Sequence, residues 1–504
     1  MTLAPAILKL DPGDDVGVAT RALRAGETLD GLVVAESIPP GHKVAARALA
    51  AGDMVRKYGQ PIGKALTSIA PGEHVHVHNL ASMQSSGINS AARFARKSYP
   101  APSPASFQGF RRADGTAGTR NYVGIVATVN CSATVVRKIV ERFPEAVLNK
   151  FPYVDGLVPI THTSGCGMPA SGPGIDTLQR TLGGFIRHPN FAAVLVVGLG
   201  CEVNEVEKLL RSQELEEGAR IRTMTIQEAG GTARAIATAE SIVRELLEQA
   251  NESRRQEIPA AELALGLQCG GSDSWSGMTA NPALGHAADL LVAAGGTVIL
   301  AETPEIYGAE SLLLQRAADD AVAGDLRRLL DWWLEYARSN NASLDNNPSP
   351  GNIAGGLTTI LEKSLGAVAK SGSSPLRGVY PYAGKIRQRG FVFMDSPGYD
   401  PCSVTGEIAA GANVICFTTG RGSVFGAKPS PSIKIASNTE IAERMGEDID
   451  YDCGAVLSGT KSLPECGREM FELILDTASG RKSASETNGF GELEFVPWQL
   501  GMTL

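Results

Sequence analysis

The chain has 504 residues, of which 43% are hydrophobic and 20% are charged. This length is too great for one ordinary domain, and this composition excludes a largely disordered chain. Its 54 acidic residues outnumber 46 basic ones, with no basic block to neutralise a row of phosphates, so we expect no nucleic-acid partner. No apolar run reaches about 18 residues, and the first residues lack the features of a signal peptide. We therefore expect a cytoplasmic protein with no membrane partner.

Residues 1–80 are a string of short β-like segments that are separated by glycine-containing turns such as PPGHK and APGEHVH. This pattern predicts a small β-rich module. Residues 81–108 are rich in Ser, Ala and Pro and keep neither the helical nor the strand period, which predicts a linker.

Apolar strands and amphipathic helices alternate through the rest of the chain. YVGIVATVN leads into ATVVRKIVERF, and AAVLVVGLG leads into NEVEKLLRSQELEE. Such alternation predicts α/β units with mainly parallel sheets, the first over residues 109–257 and the second over 258–504. In these sheets, ligands gather at the carboxyl ends of the strands.

Three histidines at a spacing of two lie in the segment GEHVHVHN: His74, His76 and His78. On an extended strand their imidazoles project from one face, and His42 can join them from a neighbouring turn. This predicts a divalent metal site for Fe(II), Mn(II) or Zn(II). A regular strand spreads the three rings over about 13 Å, so we expect only two of them to share one ion. The alternative is a solvent-facing strand edge that needs no metal.

Four cysteines follow predicted strands or lie in their loops: Cys131, Cys166, Cys201 and Cys269. Thiolates that converge there could hold a soft metal or an iron–sulfur cluster, although the short CxxC spacing is absent. We keep Cys131, Cys166 and Cys269 as an alternative metal site. The other interpretation is that these thiols are small core residues.

Polar residues beside glycines at the predicted strand ends are candidates for proton transfer and substrate binding. They are His162, Glu202, Ser272, Asp273 and Asn281.

Three cations, Lys43, Arg120 and Arg421, could clamp a carboxylate, and the guanidinium fork of Arg fits that task well. The segment GLGCEVNE lacks the third glycine of a dinucleotide fingerprint, which argues against a nicotinamide enzyme.

Long motifs in the same order along nearly the whole chain resemble the altronate and galactarate dehydratase family. The motifs are PPGHKVA, VRKYGQPIGKAL and APGEHVHVHN, then GTRNYVGIVATVNCS, HTSGCG and VVGLGCE, then LQCGGSDSWSGMTANPALG, ETPEIYGAE, NPSPGN, EKSLG and FTTGRGS.

The resemblance implies a hydro-lyase that converts a sugar acid to a 2-keto-3-deoxy acid with a divalent metal, Fe(II) above all. It also implies an N-terminal module of the SAF type. HVHVHN is similar to the altronate branch, which favours an aldonate over an aldarate such as galactarate. A third branch resembles sulfolactate sulfo-lyase, whose module and large region are separate subunits. A non-catalytic sugar-acid binding protein is a further alternative, and we expect a homo-oligomer, namely a dimer.

Dehydration of a 2,3-dihydroxy acid needs a base for the C2 proton and an acid for the C3 hydroxyl. We hypothesise that Asp273 or His162 is the base, and that Glu202 or Lys43 is the acid or the partner of the carboxylate. Ser272, Asn281, Arg120 and Arg421 are then the candidate substrate-binding residues. The ligands of the metal would be His42, His74, and His76 or His78.

Overall fold

The N-terminal module consists of short antiparallel strands. A computed structural model describes residues 5–82, 104–344 and 347–500 of the chain. The module's strands are β1 (Ile7–Leu8), β2 (Val16–Ala19), β3 (Thr28–Leu29), β4 (Leu32–Val33), β5 (Lys43–Ala45), β6 (Met54–Lys57), β7 (Gln60–Ala65), β8 (His74–Val75) and β9 (Leu80–Ala81). They form sheets of order β1-β2-β5-β8 and β6-β7-β9, and β3 pairs with β4. Of the predicted linker, residues 83–103 lie outside the described residues.

The second domain alternates strand and helix, as its sequence pattern predicts. It is preceded by β10 (Ser106–Arg111) and β11 (Ala117–Gly118). The domain comprises β12 (Tyr122–Ala127), α1 (Asn130–Val140), α2 (Glu145–Leu148), β13 (Gly156–Ile160), α3 (Pro173–Arg187), β14 (Phe191–Gly198), α4 (Val206–Ser212), β15 (Ile221–Thr225) and α5 (Thr232–Ala250). Its parallel sheet has the order β13-β12-β14-β15, and every residue of β12 is buried, as is typical of a strand covered on both faces.

A strand after the second domain returns the chain to where that domain began. β16 (Gln256–Pro259) pairs antiparallel with β10, with Ser106 opposite Pro259. Because β10 and β16 bracket the second domain, both of its ends are fixed at one place. The domain boundary predicted after residue 257 falls within β16.

The C-terminal domain is the larger α/β unit. Its elements are β17 (Ala264–Cys269), α6 (Ala280–Ala293), β18 (Thr297–Leu300), α7 (Glu310–Leu314), α8 (Asp320–Ser339), α9 (Pro350–Ala354), α10 (Ile360–Ala369), β19 (Leu376–Tyr380), β20 (Gly390–Met394), α11 (Asp400–Ala410), β21 (Val414–Thr419), β22 (Ser432–Ala436), α12 (Thr439–Arg444), β23 (Tyr451–Asp452), α13 (Gly454–Leu457), α14 (Leu463–Ala478) and α15 (Ala484–Thr487). Short 3-10 helices cover Ala260–Glu262 and Thr303–Ile306. The predicted fold class, an α/β chain with a β-rich N-terminal module and parallel sheets, is confirmed.

The seven-stranded parallel sheet of this domain has the order β19-β20-β18-β17-β21-β22-β23. From β17 the chain first builds the sheet to one side through β18, and it then crosses over to add β21 on the other side. The carboxyl ends of β17 and β21 therefore flank a topological switch point, where open α/β sheets bind their ligands.

Shared hydrophobic cores join the three regions. Val55 and Ile62 of the module belong to the same buried cluster as Leu365 of α10. Phe185 of α3 and Ile408 of α11 belong to a second buried cluster, which joins the second domain to the C-terminal domain. Among the described residues, no helix is both long and apolar enough to cross a membrane.

Candidate active site

Strand pairing within the module brings two of the predicted histidines together. Val44 of β5 is opposite His74 of β8, and His42 directly precedes β5. The Nδ1 atom of His42 lies 3.0 Å from the Nε2 atom of His74. The predicted convergence of these two residues is therefore present in the fold.

A turn after β8 brings the other two histidines back to the same place. The amide of His76 donates to the side-chain oxygen of Asn79 at 2.9 Å, and β8 itself is only two residues long. The ring centre of His76 lies 4.8 Å from that of His42, and the ring centre of His78 lies 5.5 Å from that of His74. The regular strand that we expected, with its rings spread too widely for one ion, is absent here because the chain turns at His76.

Backbone carbonyls of the C-terminal domain orient two of these rings. The Nε2 atom of His42 lies 3.3 Å from the oxygen of Ala354, and the Nε2 atom of His76 lies 3.2 Å from the oxygen of Ile353. A carbonyl oxygen only accepts hydrogen bonds, so each Nε2 carries the proton and each Nδ1 holds a lone pair. The end of α9 thus fixes the tautomer of both rings.

Burial keeps these imidazoles neutral. Burial and then the neighbouring imidazole of His42 lower the pKa of His74 to about 3. Burial and then the cation of Lys43 lower the pKa of His76 to about 4. Neutral imidazole is the form that binds metals, and its nitrogen suits iron and zinc. The donor chemistry of this histidine cluster therefore fits a divalent metal, although within residues 5–82, 104–344 and 347–500 no group of three or more His, Cys, Asp or Glu side chains is arranged to hold one.

A buried ion network lies beside the histidine cluster and joins the module to the C-terminal domain. The Lys43 ammonium donates to Glu362 of α10 at 3.0 Å and to the carbonyl of Gly356 at 2.7 Å. The Lys57 ammonium donates to the other oxygen of Glu362 at 2.7 Å and to the hydroxyl of Ser274 at 2.7 Å. Lys43 and Glu362 have no exposed side-chain surface.

The network carries more positive than negative charge, because two lysines share one carboxylate. Burial raises the pKa of Glu362, but Lys43 and Lys57 outweigh this effect and lower it to about 2. Burial lowers the pKa of Lys43 to about 8, and Glu362 offsets only part of that shift. A buried excess cation favours an anionic ligand nearby.

Asp273 holds the loops after β17 and β22 together. Its carboxylate accepts hydrogen bonds from the Ser276 amide at 2.7 Å, the Ser437 hydroxyl at 3.0 Å and the Asn438 side chain at 3.1 Å. Burial raises the pKa of Asp273, and these hydrogen bonds oppose that rise. The carboxylate is thus held in one place at the switch point.

A narrow cavity of about 10 Å³, room for one water molecule, lies between Asp273 and the ion network, so the loops around it must open to admit a sugar acid. Ser272, Asn281 and Tyr58 line it, together with Glu362 and Asp273. Asn281 donates to the carbonyl of residue 366 at 2.9 Å and accepts from the hydroxyl of residue 418 at 2.6 Å. Three of the predicted residues, Asp273, Ser272 and Asn281, therefore meet in one cavity.

The loop after β21 completes this edge of the sheet. The amide of Arg421 donates to the carbonyl of Gly271 at 2.9 Å, and the Arg421 side chain is exposed. A Cβ atom at Gly420 would overlap the carboxylate of Asp273, so only glycine allows this approach. The loops that carry Arg421 and Asp273 are packed together, as their strand-end positions predict.

Comparison with known proteins agrees with the resemblance that the motifs indicate. Three family profiles match in chain order: the altronate/galactarate dehydratase SAF domain over residues 5–83, the D-galactarate dehydratase/altronate hydrolase second domain over 109–251, and the D-galactarate/altronate dehydratase C-terminal domain over 260–503. The chain belongs to the altronate and galactarate dehydratase family. It is therefore an enzyme of the hydro-lyase class.

Relatives with different names are almost equally similar to this family member. Altronate dehydratase of Bacillus subtilis (strain 168) is 36% identical over 99% of this chain and 100% of its own length. Galactarate dehydratase (L-threo-forming) of Escherichia coli (strain K12) is 35% identical over 94% of this chain and 93% of its own. The (2R)-sulfolactate sulfo-lyase subunit beta of Chromohalobacter salexigens is 34% identical over 78% of this chain and 96% of its own.

Two of the predicted proton-transfer residues of this dehydratase-family chain lie elsewhere, in the second domain. His162 is buried with Nε2 3.1 Å from the carbonyl oxygen of Ala127, and burial lowers its pKa to about 4. Glu202 accepts from the Thr128 hydroxyl at 2.7 Å and from the Gly200 amide at 2.7 Å. Burial raises the pKa of Glu202, but these hydrogen bonds outweigh it and lower the pKa below its usual value.

The structure divides the predicted thiol site between two domains. Cys131 and Cys166 are exposed in the second domain, whereas Cys269 is buried in the C-terminal domain. The Lys370 ammonium donates to the sulfur of Cys269 at 3.0 Å. Cys269 therefore does not belong with the other two thiols, because its strand is part of a different sheet.

Arg120 does not reach the carboxyl ends of the strands. It precedes β12, at the opposite end of that strand, and forms an ion pair with Glu486 at 2.7 Å. Its other guanidinium nitrogens donate to the carbonyls of Thr477 and Arg481. These bonds hold the guanidinium between protein groups. Arg120 is therefore not placed to bind the carboxylate of a substrate, as we had expected.

Sequence reasoning missed several charged residues of the site. Lys57 has an inward position in β6, where Val55 is also buried, and a lysine at such a position was a detectable signal. The sequence around Glu362 does not point to the site, because Glu362 contacts Lys57 and the two residues are more than 300 positions apart in the chain. Glu302 was also missed: it follows β18 with a left-handed backbone (φ 69°), lies 3.6 Å from Lys370, and burial raises its pKa.

Proposed function

We propose that the protein removes water from a six-carbon sugar acid, an aldonate such as altronate or an aldarate such as galactarate, and releases a 2-keto-3-deoxy acid. The observation that carries the proposal is the meeting of the histidine cluster with the Lys43–Glu362–Lys57 network beside the switch point. HVHVHN favours the aldonate, whereas the near-equal identities of the relatives favour neither substrate.

A divalent metal, Fe(II) by preference and otherwise Mn(II) or Zn(II), would supply Lewis-acid stabilisation of the charge that develops when the C2 proton leaves. Its proposed ligands are His42, His74, and His76 or His78. The support is the neutral state of the buried imidazoles and the lone pairs on the Nδ1 atoms of His42 and His76.

The proton transfers are assigned to Asp273 and Lys43. The Asp273 carboxylate, held by three neighbouring side chains and raised in pKa by burial, takes the C2 proton. Lys43 is protonated at neutral pH, and its pKa of about 8 makes it a better proton donor to the departing C3 hydroxyl than an ordinary lysine. Water leaves, and the enol that remains tautomerises to the 2-keto acid.

Binding of the substrate carboxylate is assigned to the excess positive charge of Lys43 and Lys57 and to Arg421. Ser272 and Asn281 are assigned to the substrate hydroxyls, because both line the cavity beside Asp273. His162 and Glu202 receive no step here, since they contact residues of the second domain and do not line the cavity beside Asp273. The dimeric state of the protein remains a prediction. Light scattering of the purified protein tests it.

A substrate panel under anaerobic conditions with Fe(II) tests the proposal. Altronate, other hexonates and hexarates are incubated with the protein, and 2-keto-3-deoxy acid is measured alongside sulfite from sulfolactate. We expect keto acid from one or more of the sugar acids. Sulfite release without turnover of any sugar acid would instead assign the sulfo-lyase reaction, and no product from any compound would overturn the proposal.

A further inference from the structure

Three of the eight cysteines are exposed, and all three lie in the second domain: Cys131, Cys166 and Cys201. The other five are buried. Cysteine is among the residues most often buried, and exposed thiols are the ones that react or bind metals. Three of them in one domain therefore need a chemical explanation.

The three cysteines occupy equivalent places in the sheet. They follow the carboxyl ends of β12, β13 and β14, which are neighbours in the order β13-β12-β14. Cys131 lies in the first turn of α1, Cys166 in the loop after β13, and Cys201 directly after the end of β14. The parallel arrangement of the strands puts all three loops on one edge.

Hydrogen bonds tie these loops directly to one another. The amide of Asn130 donates to the carbonyl of Ser164 at 2.9 Å, and the amide of Asn204 donates to the carbonyl of Gly165 at 3.0 Å. The side chain of Asn204 also donates to the carbonyl of Thr128 at 3.0 Å. Each bond lies within three residues of a cysteine, so the three loops that carry the cysteines are held together.

Two further contacts bring the loops close together. Gly165 has a φ of 97°, and a Cβ atom there would overlap the carbonyl of Thr128. Glu202, next to Cys201, accepts the Thr128 hydroxyl at 2.7 Å. The loops of Cys166 and Cys201 therefore both contact Thr128, which lies three residues before Cys131 in the chain.

Two features of the structure lie beside the sulfur atoms of Cys131 and Cys201. Cys131 lies at the amino end of α1, an 11-residue helix whose dipole stabilises negative charge there. The side-chain amide of Gln227 donates to the sulfur of Cys201 at 3.4 Å. Hydrogen bonds of this kind tune metal-bound thiolates.

We propose that Cys131, Cys166 and Cys201 hold an iron–sulfur cluster of the [4Fe–4S] type. A cubane cluster is larger than a single ion, so its cysteine ligands lie farther apart than the ligands of one ion. Binding forms three iron–thiolate bonds and releases three protons to solvent, with no change of oxidation state. The fourth iron has no cysteine ligand and stays open to an oxygen ligand.

A cavity at the same strand ends is lined by Asn130, Arg137 and His162 and by residues of the C-terminal segment between 493 and 499. Asn130 directly precedes Cys131 in the chain. The cluster site is separate from the histidine site and is independent of the proposed sugar-acid dehydration.

Iron and acid-labile sulfide measured together test the inference. The full-length protein is purified anaerobically and reconstituted with equal amounts of ferrous and ferric iron and with sulfide, and its visible absorption is recorded. We expect about four sulfides and about five irons per chain, of which four belong to a [4Fe–4S] cluster and one to the histidine site. We also expect protection of Cys131, Cys166 and Cys201 from alkylation, relative to protein treated with a chelator.

Two variants separate this site from the histidine site. The triple variant Cys131→Ser, Cys166→Ser, Cys201→Ser is expected to lose the sulfide and the visible absorption while remaining folded, because all three side chains are exposed. The double variant His74→Ala, His76→Ala is expected to keep both. Sulfide-free wild-type protein, or equal sulfide in the triple variant, would overturn the inference, and iron without sulfide would be iron of the histidine site or adventitious iron only.

Discussion

Lys43 and Glu362 meet at 3.0 Å across the boundary between the N-terminal module and the C-terminal domain, and neither side chain is exposed. Lys57 reaches the other oxygen of the same carboxylate at 2.7 Å. One buried carboxylate therefore anchors the module through two lysines from different strands, and it holds the neighbouring histidine cluster against α9.

Loss of the charge on Glu362 is expected to destabilise the protein strongly. Glu362→Gln leaves two buried lysines without their partner, and breaking a buried ion pair in this way costs about 3–5 kcal/mol. Chemical unfolding of the purified variant measures the change. The control is Glu141→Gln, whose exposed pair with Lys138 contributes about 0–1 kcal/mol. Equal effects of the two variants would contradict the anchoring role.

The free energy of unfolding is expected to fall as the pH is lowered from 7 to 5, in part because of His188. Burial lowers the pKa of His188 to about 3 from 6.5, and its Nε2 donates to the carbonyl of Ala412 at 3.1 Å. On acidification the unfolded chain therefore binds a proton that the folded chain does not. From pH 7 to pH 5 this removes about 2 kcal/mol.

The variant His188→Gln tests this contribution with chelator-treated protein. Its free energy of unfolding is expected to be lower than that of the wild type at pH 7, but to fall less between pH 7 and pH 5. An unchanged loss over that interval would mean that the pKa of His188 is the same in the folded and the unfolded chain.

Glycine at position 420 is expected to be required for the position of Asp273. In Gly420→Ala the new methyl group overlaps the Asp273 carboxylate, which must then move or strain the loop at about 1–3 kcal/mol. Turnover and the free energy of unfolding should both fall. The matched control is Gly218→Ala, where nothing lies within 4 Å of the added carbon. Normal turnover in Gly420→Ala would argue against a role for Asp273.

The proposed base has its own test in Asp273→Asn. The amide keeps the shape of the carboxylate but cannot take the C2 proton, so kcat is expected to fall by about 10²–10⁴-fold. The control is Ser437→Ala, which removes one of several hydrogen bonds to the carboxylate and should reduce kcat far less. A kcat close to that of the wild type in Asp273→Asn would mean that another residue is the base.

The strand and helix pattern predicts the fold well because periodicity is local. YVGIVATVN and ANVICFTTGRG read as buried strands, and they correspond to β12 and β21. Ser272, Asp273 and Asn281 were predicted as site candidates because they lie near glycines that follow a predicted strand, and all three line the cavity beyond β17.

The features of the site that the sequence does not predict depend on contacts between segments that are far apart in the chain. No local pattern pairs Lys57 with Glu362, and none tells that Cys269 and Cys131 follow strands of different sheets. The ring positions of His76 and His78 depend on the turn at Asn79, which ends the strand after two residues. Arg120 lies at the amino end of its strand, a position that motif matching does not reveal.

The metal content and turnover of the double variant His74→Ala, His76→Ala test the central claim most directly. His286→Asn is the control, since His286 belongs to α6 and not to the histidine cluster. We predict that the double variant loses both its divalent metal and the formation of 2-keto-3-deoxy acid, whereas the control keeps both. Full iron content together with full turnover in the double variant would contradict a catalytic site at the histidine cluster.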